Sequence, residues 1–171
     1  MTAYVALLRA INLGAASTVR KEELIAAAGV LGYGRARTFI ASGNLLFDAN
    51  ADEPSVKAAL ETELARRTGR SIAVVIRSAA SMAAVRDANP FPAAPGNRLL
   101  VYFLDAPPPA DALDQARHVD GEVMALGSRE IYVRYTDTGM GTSRLTIPAA
   151  KAATARNMNT VARLSELAAA G

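Results

Sequence analysis

Ala36-Arg37-Thr38-Phe39-Ile40-Ala41-Ser42-Gly43-Asn44-Leu45-Leu46-Phe47 reads as two β-prone runs, residues 36–40 and 45–47, joined through Ser42-Gly43-Asn44. A Gly-Asn pair between such runs signals a hairpin, because both residues tolerate the backbone angles of a tight turn. Upstream, Ser17 and Thr18 can cap a helix, and Glu22 and Glu23 fall in its first turn, where they suit the helix dipole. Leu24, Ala27, Ala28 and Leu31 recur at helical spacing, and Gly32 ends the pattern. Before that helix, residues 4–8 form a short apolar strand. Downstream, Asp52 caps a second helix with Pro54 in its first turn, an apolar stripe of Val56, Ala59, Leu60 and Leu64, and Gly69 at its end. Residues 72–76 are continuously apolar, as in a strand buried on both faces. Residues 3–77 therefore spell β-α-β-β-α-β, the ferredoxin-like order.

The remainder repeats that layout without repeating its residues. A helix over 81–88 is stopped at Asn89-Pro90, and residues 89–97 hold three prolines and a glycine. Residues 99–104 read as a strand, and Pro107-Pro108-Pro109 leads into a short helix expected over 111–117. Strands at 122–126 and 131–135 turn at Gly127-Ser128, and a last helix over 157–170 carries Val161, Leu164 and Ala168. The expected architecture is an α+β fold of two ferredoxin-like subdomains, antiparallel sheets with helices packed on them. The first would span residues 1–88, the second and partial one 98–171, with 89–97 as linker.

Composition excludes more chemistry than it suggests. Just over half of the 171 residues are apolar, ample for a core, while the longest apolar stretches fall far short of the roughly 20 residues that cross a bilayer. No membrane association is expected. The N-terminus shows no basic region ahead of an apolar one, so the expectation is a cytoplasmic protein without a signal peptide. The chain has no cysteine, which removes disulfides, thiolate nucleophiles and zinc–thiolate sites. The net charge is +3, but sixteen of the nineteen basic residues are Arg, and alanine abounds. Such a bias reflects a GC-rich coding sequence more simply than an anionic partner. Arg144, Lys151, Arg156 and Arg163 against Glu166 form the one local concentration of positive charge.

His118 is the single histidine, so any Ser–His–acid triad must run through it; at the end of a short helix it reads as a solvated structural residue. No carboxylate pair stands out for acid–base work, and no metal or cofactor pattern is present. Four segments remain. Arg9 to Gly14 leaves the first strand toward a helix, and its backbone could meet an anion. Ser42-Gly43-Asn44 reads first as the hairpin turn. Gly139-x-Gly141-x-Ser143 reads as a turn before a helix, or else an anion-binding nest. In Thr154-Ala155-Arg156-Asn157, Thr154 or Asn157 can cap the last helix and Arg156 is expected to point outward. A cation there opposes the helix dipole, which hints at a carboxylate or phosphate partner.

Tyr4 to Gly14, Thr38 to Asn44, Asn89-Pro90-Phe91 and Thr154 to Val161, in that order, resemble the bacterial family catalogued as domain of unknown function 1697. The resemblance covers nearly the whole chain and implies two ferredoxin-like halves; it supplies no function. Two positions depart from the family pattern. Ala10 stands where glycine is usual, with Gly14-Ala15 for a Gly-Gly pair, and Met158 stands where many members carry Trp. Grouping the motif positions gives a candidate site of Arg9, Asn12, Ser42, Asn44, Arg156 and Asn157 for a small anionic or phosphorylated ligand. Arg9 and the hairpin turn are expected on one rim of the sheet. A dimerising interaction module is the alternative. Nucleic acid is disfavoured, since nine aromatics show no surface cluster. An enzyme would have to work with Arg, Asn, Ser or carboxylates.

Overall fold

The computed structural model describes residues 1–9, 19–40 and 43–171. Among the described residues, the α-helices and strands follow in the order β1 (Thr2–Leu8), α1 (Lys21–Val30), β2 (Gly34–Thr38), β3 (Asn44–Ala49), α2 (Glu53–Thr68), β4 (Val74–Ser78), α3 (Ala79–Asp87), β5 (Leu99–Phe103), β6 (Val123–Leu126), β7 (Glu130–Arg134), β8 (Thr154–Asn157) and α4 (Met158–Ala169). They form two four-stranded antiparallel sheets with the helices packed on them, the α+β class expected. The chain divides into two units, Met1–Ala83 with Leu164–Gly171, and Ala84–Arg163. Residues 89–97 thus lie within the second unit, and α4 begins in the second unit and ends in the first. No helix among the described residues is long and apolar enough to cross a membrane.

In the first unit the sheet order is β2-β3-β1-β4, the ferredoxin-like order. Tyr4, Ala6 and Leu8 of β1 join Leu45, Phe47 and Ile76 in one core face. Leu24, Ala27 and Ala28 of α1 and Val56, Leu60 and Leu64 of α2 close over it. Period-two strands meeting period-3.6 stripes is what puts both helices on this face. The Asp52 carboxylate accepts from the Ser55 N–H at 3.0 Å, and Gly69 ends α2 with φ of 70°, as its glycine required. Glu22 and Glu23 do stand in the first turn of α1, whose described N-cap, Arg20, makes no side-chain cap bond. Ser17 and Thr18 lie outside the described residues. The fourth strand begins two residues later than the apolar run 72–76, because pairing with β1 sets it: Leu8 faces Val74 and Tyr4 faces Ser78.

The second sheet repeats the order as β6-β7-β5-β8. Two expectations fail here. Residues 111–117 are not a helix. Ala112, Asp114 and Ala116 each donate to the carbonyl three residues back, giving consecutive turns. Arg117 is then pulled straight by a two-way backbone bridge with Thr146, at 2.8 and 3.0 Å, which a helix cannot offer. His118 follows with φ of 57°, so it ends no helix. Residues 154–157 are not a loop before a helix but β8, paired with β5 from Leu100–Asn157 to Phe103–Thr154. The open edge of β5 recruits a tetrapeptide that has no apolar run of its own. Asn157 does cap α4, as its sequence position predicts, its side-chain oxygen accepting from the Thr160 N–H at 2.9 Å.

Candidate functional site

Strand direction brings the end of β1 and the start of β3 to one rim of the first sheet. Asn44 stands opposite Leu7, and the Leu8 N–H donates to the Gly43 carbonyl at 2.8 Å. The Arg9 N–H donates to the Ala73 carbonyl on the other side at 3.0 Å, and Arg9 itself is exposed. Arg9, Gly43 and Asn44 therefore share one end of the sheet. The Asn44 side chain is buried and donates to the Phe39 carbonyl at 2.9 Å, so it holds the β2–β3 connection. Asn12 and Ser42 lie outside the described residues.

Arg156 does not point outward from a helix end. As a β8 residue it is half-buried, and its guanidinium donates to the Thr154 hydroxyl and the Ala155 carbonyl, both at 2.8 Å. Burial disfavours the charged form and holds the guanidinium down at about 10. Asn157 is occupied as the α4 cap. Arg156 and Asn157 are thus two members of the second unit with bonds of their own, and Arg9 and Asn44 two members of the first.

Around His118 lies a polar cavity of about 260 Å³, also lined by Glu122, Ser143 and Gly139. His118 is exposed, as expected, and its imidazole makes no hydrogen bond among the described residues. The Ser143 hydroxyl donates straight to the buried Glu122 carboxylate, which also accepts from the Asp120 N–H at 2.6 Å. Those bonds, the serine's first, hold Glu122 below the usual carboxylate range. A carboxylate so stabilised is a weak base, and it serves here to tie the 120–122 segment to residue 143. The stretch after Gly139 leads to the Arg117–Thr146 bridge and a single 3₁₀ turn at Pro148–Ala150, not to the helix expected.

A second cavity in the same unit, about 440 Å³, has a different character. Its walls are mostly apolar, from Leu145, Ile147 and Pro148 with the Tyr102 ring, and Arg117 and Lys151 both line it. The Tyr102 hydroxyl is hydrogen-bonded to that of Tyr135 at 2.7 Å. Burial, and then this bond, push the Tyr135 phenol well above its ordinary range. Arg117 is exposed, its backbone is fixed by the Thr146 bridge, and its guanidinium carries no ion pair among the described residues. Sequence reading missed this place because β5, the 110–117 turns and the 145–151 segment meet only in three dimensions. The basic excess at Lys151 was its one visible trace.

Two four-stranded antiparallel sheets of the same order define an α+β protein of paired ferredoxin-like units. Over residues 1–132 the chain matches the family described as protein of unknown function (DUF1697), and it belongs to that family. Among solved structures it is similar to the conserved bacterial protein SP0830 from Streptococcus pneumoniae. The identity is 19%, the TM-score 0.79, and 98% of each chain is covered. At that identity the likeness shows the fold alone. No curated protein matches.

Proposed function

We propose that the protein binds a small organic anion, a carboxylate or phosphate on an apolar body, in the cavity between Tyr102, Arg117 and Lys151. One observation carries this reading: two cations line a largely apolar cavity of about 440 Å³. Small-ligand sites combine apolar walls with a few fixed polar groups in just this size range. The apolar wall gives the ligand body a place to leave water, and the cations select its charged end. A charge-assisted bond to such an end contributes about 1.5–3 kcal/mol. Arg117 starts from a backbone already fixed by Thr146, which lowers the ordering cost of binding. The test is a dye-based thermal-shift screen of aliphatic and aromatic carboxylates and phosphates against the wild type, Arg117→Gln and Lys151→Gln. Hits at this cavity should raise the wild-type Tm with concentration and lose that effect in both variants. Absence of any hit, or indifference of every hit to both changes, would remove the reading.

The exposed Arg9 beside Gly43 favours a second place for an anion, on the rim of the first sheet, with Asn12 and Ser42 as its proposed neighbours. In that reading Asn44 acts by holding the turn, and Arg156 and Asn157 would contribute only through an additional bond beyond those they already make.

A further inference from the structure

The Asn89-Pro90-Phe91 motif takes no part in the site above, and it walls a third cavity of the second unit, about 600 Å³ in volume. One side is built from Pro90, Phe91 and Pro95, and the other from Arg98, Arg134 and Asp137. The proline-rich side is ordered locally. The Phe91 N–H donates to the Asn89 side-chain oxygen at 2.8 Å, and the Phe91 carbonyl accepts from the Ala94 N–H at 3.0 Å. With proline fixing φ before and after it, the half-buried Phe91 ring is presented with little conformational freedom left to lose.

The opposite wall carries an excess of positive charge. Arg134 ends β7 opposite Leu99 of β5 and Val123 of β6, so no carboxylate faces it across either ladder. It is exposed and makes no ion pair or side-chain hydrogen bond among the described residues. Arg98 is anchored through its backbone, donating to Pro95 and accepting from Tyr135. Its guanidinium meets Asp137 at 2.5 Å, but that carboxylate is 99% exposed, so the pair is screened by water and easily exchanged. Two guanidiniums against one carboxylate leave net positive charge facing an aromatic and proline wall.

From this geometry we infer that the second unit carries a separate site for an aromatic phosphate, the ring against Phe91 and the prolines and the phosphate between Arg98 and Arg134. Arginine matches phosphate in bidentate fashion, which a single lysine cannot do. A flat ring gains from stacking on Phe91 whatever its substituents. The shared chemistry is met by a simple aryl phosphate and by a nucleoside monophosphate.

Isothermal titration of the full chain with phenyl phosphate, adenosine monophosphate and inorganic phosphate tests this. Phenyl phosphate should bind, with inorganic phosphate at least about tenfold weaker for want of the ring. Arg134→Gln should weaken all three by about tenfold to a hundredfold. Phe91→Leu should erase the difference between phenyl and inorganic phosphate while leaving the latter unchanged. Unchanged Tm values for both variants confirm that folding is intact. Adenosine monophosphate binding tighter than phenyl phosphate assigns the site to nucleotides; equal or weaker binding assigns it to simple aryl phosphates. The inference is overturned if no probe binds, if Arg134→Gln and Phe91→Leu both bind as wild type, or if binding disappears with Arg117→Gln instead. The last result would place the ligand in the Tyr102 cavity and support the earlier reading alone.

Discussion

Removing the hydroxyl of Tyr102 should cost more than removing that of Tyr135, although the two share one hydrogen bond. The oxygens are 2.7 Å apart. Tyr135 is 8% exposed, and no other bond of its hydroxyl is present among the described residues. Tyr135 touches the 600 Å³ cavity yet stays buried, whereas Tyr102 is half-buried and borders the 440 Å³ cavity, so water reaches Tyr102 more readily. Tyr102→Phe therefore strands a buried hydroxyl, a cost of about 1–3 kcal/mol. Tyr135→Phe leaves a hydroxyl that water can serve, so its cost stays near the net worth of one bond, about 0.5–1.5 kcal/mol. The double substitution removes both polar groups from the same place and should fall below the sum of the singles, by a coupling of about 1 kcal/mol. Urea unfolding of the four proteins, followed by far-ultraviolet circular dichroism, gives the cycle directly. In a chain of this length each kcal/mol is also about 2–4 °C in Tm. Additive losses, or Tyr135→Phe as the more damaging change, would refute the hydrogen bond and the cavity beside Tyr102 together.

Glu122, held low by Ser143 and the Asp120 N–H, contributes stability that is complete above the ordinary carboxyl value near 4.5 and is lost as pH falls through its lowered one. Glu122→Gln should accordingly flatten the acid limb of a Tm-against-pH profile below about pH 4.5, and an unchanged limb would deny the bond its role. Leu60, fully buried between α2 and the first sheet, should lose about 2–5 kcal/mol on Leu60→Ala, read by chemical denaturation. Arg9→Ala, at an exposed strand end, should abolish any phosphate-dependent rise in Tm that survives both Arg117→Gln and Arg134→Gln.

Most of the first unit was legible because its signals are local. Asp52 with Pro54, the stripe from Val56 to Leu64 and Gly69 each act within a turn or two of chain, and each does in space what it does in sequence. The errors arose where a distant segment decides. The 111–117 stretch has helical-looking composition, yet its backbone is claimed at Arg117 by Thr146. Thr154 to Asn157 carries no strand pattern, and only the vacant side of β5 makes it a strand; that pairing in turn draws Arg156 inward. The cavities were illegible for the same reason. Tyr102, Arg117 and Lys151 come from three separated stretches, and Phe91 and Arg134 from two, so no spacing rule could bring them together.

The last turns of α4 give the first unit an unusual dependence on time. Its membership passes from Met1–Ala83 directly to Leu164–Gly171, and the Arg37 guanidinium donates to the Leu167 carbonyl at 2.5 Å. A nascent chain emerging from the ribosome offers the whole β-α-β-β-α-β run long before it offers that carbonyl. At about 5–20 residues per second, the first unit waits several seconds for its closing segment. Throughout that interval the second unit, an insertion in the first, is being synthesised and can fold. Vectorial synthesis thus makes the unit begun first the one finished last.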